Sequence, residues 1–384
     1  MRHFDHLPSA VRDVLFFRPP EPFERHSDPD LLGAALGATL YVPAVRDGLA
    51  EVIRRRAEGG VRSMVIDLED AVPDERVDEG LVRTRDTLAE LHEDPPETLL
   101  FVRVRTPEMV TALVEELDRS AGVLSGFVLP KFGADTGEMF LTAIEAASTT
   151  LGARLFAMPV LETPQVSYRE SRHEELTRIR ELLHRHRQQV LAVRLGATDL
   201  CGLFGIRRDR DLTVYDVGVA ADLIGDVVNQ LGRADGTGYT VTGPVWEYIP
   251  GHERIFRPTL RQTPFEDRDA GRLRQQLLLA DMDGLMREIV LDRVNGLSGK
   301  TVIHPAHVAA VHALSVVSHE EYSDARDVLG APSGGVSRSE YRNKMNESRP
   351  HAAWARRIQL RSRAFGVANP EVSHVDILAA QWDR

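Results

Sequence analysis

Cysteine occurs once in the 384 residues, at Cys201, which excludes an internal disulfide and fits a reducing compartment. Lysine is almost as scarce: Lys131, Lys300 and Lys344 are the only three among 47 basic residues, the others being arginine. No apolar run approaches the roughly 18 residues that a bilayer-spanning helix needs. The opening residues, MRHFDHLPSAVRDVLFF, are charged throughout and lack the apolar stretch of an export signal, so a cytoplasmic location is expected. A basic excess is missing too. The net charge of −11 argues against nucleic acid as a partner, because phosphate contacts need a basic face, and no membrane contact is expected. There is no Cys/His spacing for zinc, no P-loop and no G-x-S-x-G elbow, and Gly202-Leu-Phe-Gly205 is too weak a pattern for a phosphate loop. With 42% hydrophobic and 27% charged residues the composition is that of an ordinary globular protein.

The scarcity of lysine has a positive side. Where arginine has replaced nearly every lysine, the survivors mark candidate positions at which a compact ammonium does what a planar guanidinium cannot. Chance retention is the plain alternative for each.

Along the chain, short β-rich runs alternate with longer amphipathic stretches, the pattern of parallel strands joined by helices. The runs are 38–43, 63–68, 99–104, 126–130, 154–161, 190–195, a weak 239–242, and 300–303. Eight runs, each followed by helix-like sequence and nearly continuous in apolar residues, point to a closed (β/α)₈ TIM barrel over 38–330. Residues 1–37, rich in Pro, Arg and His, read as an N-terminal extension on the outside of the barrel. Residues 331–340 read as a flexible linker, and the remainder to 384 as a C-terminal helical segment that could pack on a neighbouring subunit.

In such a barrel the chemistry lies at the C-terminal strand ends. The second run ends in Asp67-Leu-Glu69-Asp70, the third in Arg103-Val-Arg105, the fourth in Pro130-Lys131. The fifth ends in Glu162-Thr-Pro164 and the sixth in Gly196-Ala-Thr-Asp199. One carboxylate at a strand end is more often a helix cap or a salt-bridge partner. Five successive strands delivering charge to one rim are hard to explain that way. Carboxylates crowded together raise one another's pKa unless a cation joins them. Oxygen ligands without Cys or paired His select Mg²⁺ or Mn²⁺, and Glu162 and Asp199, on adjacent strands, are the first choice as its ligands.

Seven motifs stand in register on successive strands: Leu40-Tyr-Val-Pro43, Ile66-Asp-Leu-Glu-Asp-Ala-Val72, Val102-Arg-Val104, Val128-Leu-Pro-Lys131, Leu161-Glu162-Thr163, Gly196-Ala-Thr-Asp-Leu200 and Gly299-Lys-Thr-Val-Ile-His-Pro305. Together they resemble the HpcH/HpaI aldolase and citrate lyase β-subunit superfamily, which includes malyl-CoA lyase, over roughly residues 38–365. The N-terminal extension and late insertions look like a bacterial branch of TIM-barrel carbon–carbon lyases associated with tellurium-resistance gene clusters. The resemblance implies that Glu162 and Asp199 hold Mg²⁺. It also implies that Arg103 clamps a substrate carboxylate, and that Glu69 and Asp70 assist through waters or through Arg103. Arg105 stands where the family usually has Asn, so it would read a different group of the substrate. Lys131 and Lys300 fall inside family motifs and are expected at the substrate, not as Schiff-base lysines, because a metal already supplies the electron sink. Asn343-Lys-Met-Asn-Glu347 resembles a C-terminal motif whose Asp enters a neighbouring subunit's site as acid/base. Glu347 is the counterpart here, with an extra residue before Pro350.

The implied activity is a metal-dependent carbon–carbon lyase or aldolase acting on an oxo or hydroxy acid, with a CoA thioester as one candidate substrate and a homo-oligomer, a trimer in the family's manner, as the assembly. Two rivals stand beside it: a CoA-independent, pyruvate-type aldolase, and a metal- or ligand-binding barrel with altered catalysis. His304 reads as a hydrogen-bonded structural residue. Trp246, Tyr248 and Phe256 read as lid or packing, and Asp281, Asp283 and Asp292 as a solvated helix face.

Overall fold

The computed structural model of the chain describes residues 1–117, 122–249, 282–331 and 335–382. Eight parallel strands form the centre: β1 (Ala38–Pro43), β2 (Ser63–Asp67), β3 (Leu99–Arg103), β4 (Leu124–Leu129), β5 (Phe156–Leu161), β6 (Ala192–Leu195), β7 (Thr240–Thr242) and β8 (Lys300–Val302). Each strand hydrogen-bonds to its sequence neighbour, and β8 pairs with β1. The last seam closes where Gly243 bridges Lys300, with the Gly243 N–H donating to the Gly299 carbonyl at 3.1 Å. The expected barrel is therefore present, with all eight strands within two residues of the runs read from sequence. Strands β2, β4 and β5 are buried at every position, which is what helices outside and side chains inside demand. Gly126 in β4 lets β5 approach closely, since a Cβ there would lie 1.9 Å from the Phe156 carbonyl oxygen.

The outer ring is α1 (Leu49–Glu58), α2 (Val77–Glu93), α3 (Pro107–Leu117), α4 (Ala134–Leu151), α5 (Arg169–Arg185), α6 (Gly218–Leu231), α7 (Met282–Val294) and α8 (Val308–Ser315), one after each strand. Their apolar stripes pack on the outward side chains of the strands and form one continuous core. A second core fills the lumen and runs out through its lower end, where Phe101, Phe156 and Met158 meet the N-terminal segment. There a short helix, Pro29–Ala35, capped by the Asp28 carboxylate, closes the N-terminal mouth; its Gly33 sits against Thr240 and the Leu191 carbonyl.

The two ends of the chain are tied together. Phe16–Arg18 pairs antiparallel with Val367–Ala368. The stretch expected to be a flexible linker contains a strand, Val336–Arg338, paired with Met345–Glu347 in a hairpin. Helices His319–Gly330 and Ser348–Phe365 pack on each other, and the second also packs on the Pro29–Ala35 helix.

Candidate active site

The C-terminal rim gathers Asp67, Glu69 and Asp70 from β2, Arg103 from β3, Lys131 from β4, Glu162 from β5 and Asp199 from the short helix after β6. Arg103 is the hub. Its Nε and Nη2 each lie 2.6 Å from an Asp67 oxygen, a bidentate pair, while Nη1 faces Glu69 at 3.0 Å and Asp70 at 3.2 Å. The guanidinium also stacks 5.2 Å from the centre of the Tyr41 ring. Burial opposes its charge, but the Asp67 carboxylate outweighs burial and holds the Arg103 pKa above its ordinary value. Every donor edge of this arginine is therefore occupied by protein.

Glu69 and Asp70 behave as a pair. Burial pushes Glu69 up and its bond to Asp70 pushes it further, whereas Asp70 falls because, against its own burial, Glu69 and Arg103 favour its charge. The two carboxyls therefore titrate together and not as independent acids. The Lys131 ammonium bonds to Glu69 and lies 3.7 Å from Asp70 and 3.9 Å from Asp199. Its backbone is left-handed, with φ +48°, an uncommon state for a residue with a side chain. In that conformation its N–H donates to the Glu162 carboxylate at 2.8 Å.

Glu162 is 5% exposed, and burial, with the charges of Asp199 and Glu69 nearby, pushes its carboxyl up to about 8. Its carboxylate occupies space left by Gly196: a Cβ at that glycine would lie 1.7 Å from Glu162 Oε2. The rim thus holds five carboxylates against two cations, Arg103 and Lys131. This is a fit for a divalent ion, with a buried, under-compensated carboxylate facing a second one, all donors being oxygen. Among the described residues no three His, Cys, Asp or Glu side chains converge on one point. Glu162 and Asp199 would supply two ligands and leave the remaining positions to water and substrate, the habit of Mg²⁺.

Three expected site residues lie elsewhere. Arg105 braces the loop after β2: its Nε donates to the Leu68 carbonyl at 2.8 Å, Nη2 donates to the carbonyls of Glu69 and Val72, and Nη1 pairs with Asp74. It shapes the acidic loop and has its donors filled in doing so. Lys300 starts β8 and points outward into the wall, 1% exposed, with Nζ 2.9 Å from Glu288 and 2.6 Å from Asp292. Its charge balances that buried pair, which also corrects the reading of Asp292 as solvated, since Asp292 is 3% exposed. Asp283 is half-buried, and Asp281 lies outside the described residues. Glu347 is exposed at the start of the helix Ser348–Phe365, its N–H donating to His351 Nδ1 at 3.1 Å, and its carboxylate meets none of the rim side chains.

Around the site, Trp246 is buried against the Arg208 guanidinium, and Tyr248 stacks edge-on to it, so both pack the insertion; Phe256 lies outside the described residues. His304 accepts the Ala306 N–H and caps a short turn. The sequence reading gave no role to Asp67, Tyr41, Arg194 or Gly196. Alternation along β2 could have flagged Asp67, two residues from Glu69. Arg194, a charge inside the apolar run Leu191–Leu195, was the plainest missed signal.

The sequence model of a family described as C–C bond lyase of the TIM-barrel fold matches residues 30–367. The chain belongs to this family. Its members are carbon–carbon lyases, and the match bears out the superfamily expected from the strand-end motifs. No curated protein matches. Among solved structures, a citrate lyase from Burkholderia xenovorans LB400 superposes with a TM-score of 0.62 at 16% identity, covering 90% of this chain and 96% of that one. The CitE protein from Mycobacterium tuberculosis, in complex with magnesium, acetoacetate and coenzyme A, gives 0.54 at 18%, covering 86% and 99%. The Haloferax volcanii malate synthase magnesium/glyoxylate complex gives 0.51 at 15%, covering 71% and 73%. At these identities the likenesses describe the fold.

Proposed function

We propose that this C–C bond lyase is a Mg²⁺- or Mn²⁺-dependent enzyme that makes or breaks the bond beside the carbonyl of an oxo or hydroxy acid. A CoA thioester is its enolate-forming partner. The observation that carries this reading is the buried, under-compensated Glu162 beside Asp199. Support comes from two proteins of like fold, one complexed with magnesium and glyoxylate and the other with magnesium, acetoacetate and coenzyme A.

When bound, the ion supplies Lewis-acid polarisation of the carbonyl and a template for the acid. The chain does the rest. Glu162 and Asp199 would hold the ion. Asp67 fixes Arg103, which in turn fixes Glu69 and Asp70, so the acidic loop is organised before substrate arrives. Lys131 places its N–H on Glu162 and its ammonium on Glu69, tying the acidic loop to the carboxylate that would hold the ion.

The test is proton exchange in D₂O. Acetyl-CoA and pyruvate are incubated separately with the protein, with and without Mg²⁺, and deuterium at the α-carbon is followed by NMR. Exchange that needs both Mg²⁺ and Glu162 is expected, and comparing the thioester with the oxo acid separates a CoA-dependent lyase from a pyruvate-type aldolase. Exchange that survives complete chelation would refute the ion's role.

A further inference from the structure

Arg194 lies in the middle of β6 and is 1% exposed, yet no carboxylate pairs with it among the described residues. Its side chain crosses the lumen from β6. Nη1 lies 3.4 Å from Thr39 Oγ1, Nη2 2.7 Å from Thr301 Oγ1, and the guanidinium sits 5.6 Å from the Tyr41 ring centre. Its Nε has no partner. Beside it in register is Thr242, whose buried hydroxyl is also without a partner. The other buried arginines differ. Arg172 and Arg208 each hold a carboxylate, as the half-buried Arg103 does, and Arg62 donates to three backbone carbonyls. Hydroxyls alone repay little of the several kcal/mol that burying one charge costs.

Two features give this arginine a direction. Tyr41 and Thr301, which touch it, are only half-buried although Arg194 itself is not exposed, so the open end of the barrel reaches down to its immediate neighbours. Val160 pairs with Arg194, and Glu162 follows two residues later on β5. The Arg194 backbone therefore lies roughly 7 Å below that of Glu162, two strand rises. Arg103, by contrast, has no free donor edge to offer a substrate.

We propose that Arg194 is the floor of the substrate pocket and pairs with a carboxylate at the substrate's far end. On the ion-site reading above, on which this rests, the acid is then a diacid, one end at the Glu162–Asp199 ion and the other at Arg194. Thr39, Thr242 and Thr301 complete the lower anchor with hydroxyls that reorient when the anion enters.

Malate and lactate share the hydroxy-acid end and differ in whether a carboxylate follows. Calorimetry on the full chain with Mg²⁺ is expected to give malate binding at least about tenfold tighter than lactate, the yield of one charge-assisted pair. Arg194→Met should erase that preference and leave lactate binding unchanged. It should also raise the Tm of the free protein, because an uncompensated charge leaves the lumen. Arg194→Lys should keep part of the preference.

Equal affinities for the two acids in the wild type, or a preference intact in Arg194→Met, would overturn the proposal. So would a lower Tm for Arg194→Met with an unchanged ratio, which would mark a structural brace. Loss of the preference's Mg²⁺ dependence alone would overturn the ion site and leave the lower anchor standing. Failure of both acids to bind overturns both.

Discussion

At the scale of single residues, Glu162 sets the pH behaviour of the site. Its carboxyl is raised to about 8 in the folded protein, against an ordinary value of about 4.5. Between those values the native state keeps a proton that the unfolded chain has released. Stability contributed by this group therefore falls as pH rises through that window, at up to about 1.4 kcal/mol per unit. Glu162→Gln should flatten that part of the profile and abolish Mg²⁺ binding. A Tm series from pH 5 to 9 in chelator, with the wild type alongside, measures it; identical slopes would remove Glu162 from this role. A divalent ion must displace the same proton, so Mg²⁺ affinity is expected to climb with pH below about 8. The neighbouring glycine offers an independent check. Gly196→Ala would put a Cβ 1.7 Å from Glu162 Oε2, so the carboxylate must move. Mg²⁺ affinity, read by calorimetry, should drop at least about tenfold while the barrel still folds. The acidic rim residues were legible because strand ends announce themselves by composition. Arg194 was not, because one charge within an apolar run does not disturb its reading as a strand.

At the scale of elements, the wall between β8 and α7 explains a surviving lysine. Lys300 and Arg208 face Glu288 and Asp292 in a volume closed to water, and Tyr215 donates to Asp292 at 2.9 Å. Even beside Lys300, burial and the Glu288 charge push Asp292 up to about 6. A compact ammonium fits between two acids where a guanidinium would have to displace one of them. Lys300→Met would leave the acids facing each other and is expected to cost about 3–5 kcal/mol, the penalty of breaking a buried pair from one side. Urea unfolding of the variant reads that loss, and Lys300→Met/Asp292→Asn should recover part of it. A Lys300→Met protein as stable as the wild type would show that the cluster is solvated. The motif around Lys300 was visible in sequence, but its direction was not. Side chains alternate along a strand, and one position decides whether a residue faces the lumen, as Thr301 does, or the helices, as Lys300 does. Arg105 followed the same logic: once β3 ends at Arg103, alternation no longer dictates where the next arginine points.

At the scale of the whole molecule, the chain's ends are knitted into one body around the N-terminal mouth, while the rim chemistry lies at the other end of the barrel. Glu347 belongs to that outer body. It is exposed at the start of the helix Ser348–Phe365 and touches none of the rim groups of its own chain. If it serves as acid/base, it does so on a neighbouring copy, which is also the only way the exposed hairpin Val336–Glu347 could bear on the reaction. That arrangement predicts complementation. Glu347→Ala and Glu162→Ala proteins would each be inactive alone, because each site lacks one of its two required carboxylates. Mixed and exchanged, they would form sites in which an intact Glu162 meets an intact Glu347, and Mg²⁺-dependent deuterium exchange would reappear. The same mixture examined by light scattering should contain oligomers. Full activity of Glu347→Ala by itself would assign the proton transfer to Lys131 and the Glu69–Asp70 pair. An active, monomeric wild type would lead to the same assignment, since no second chain would then be needed to complete the site.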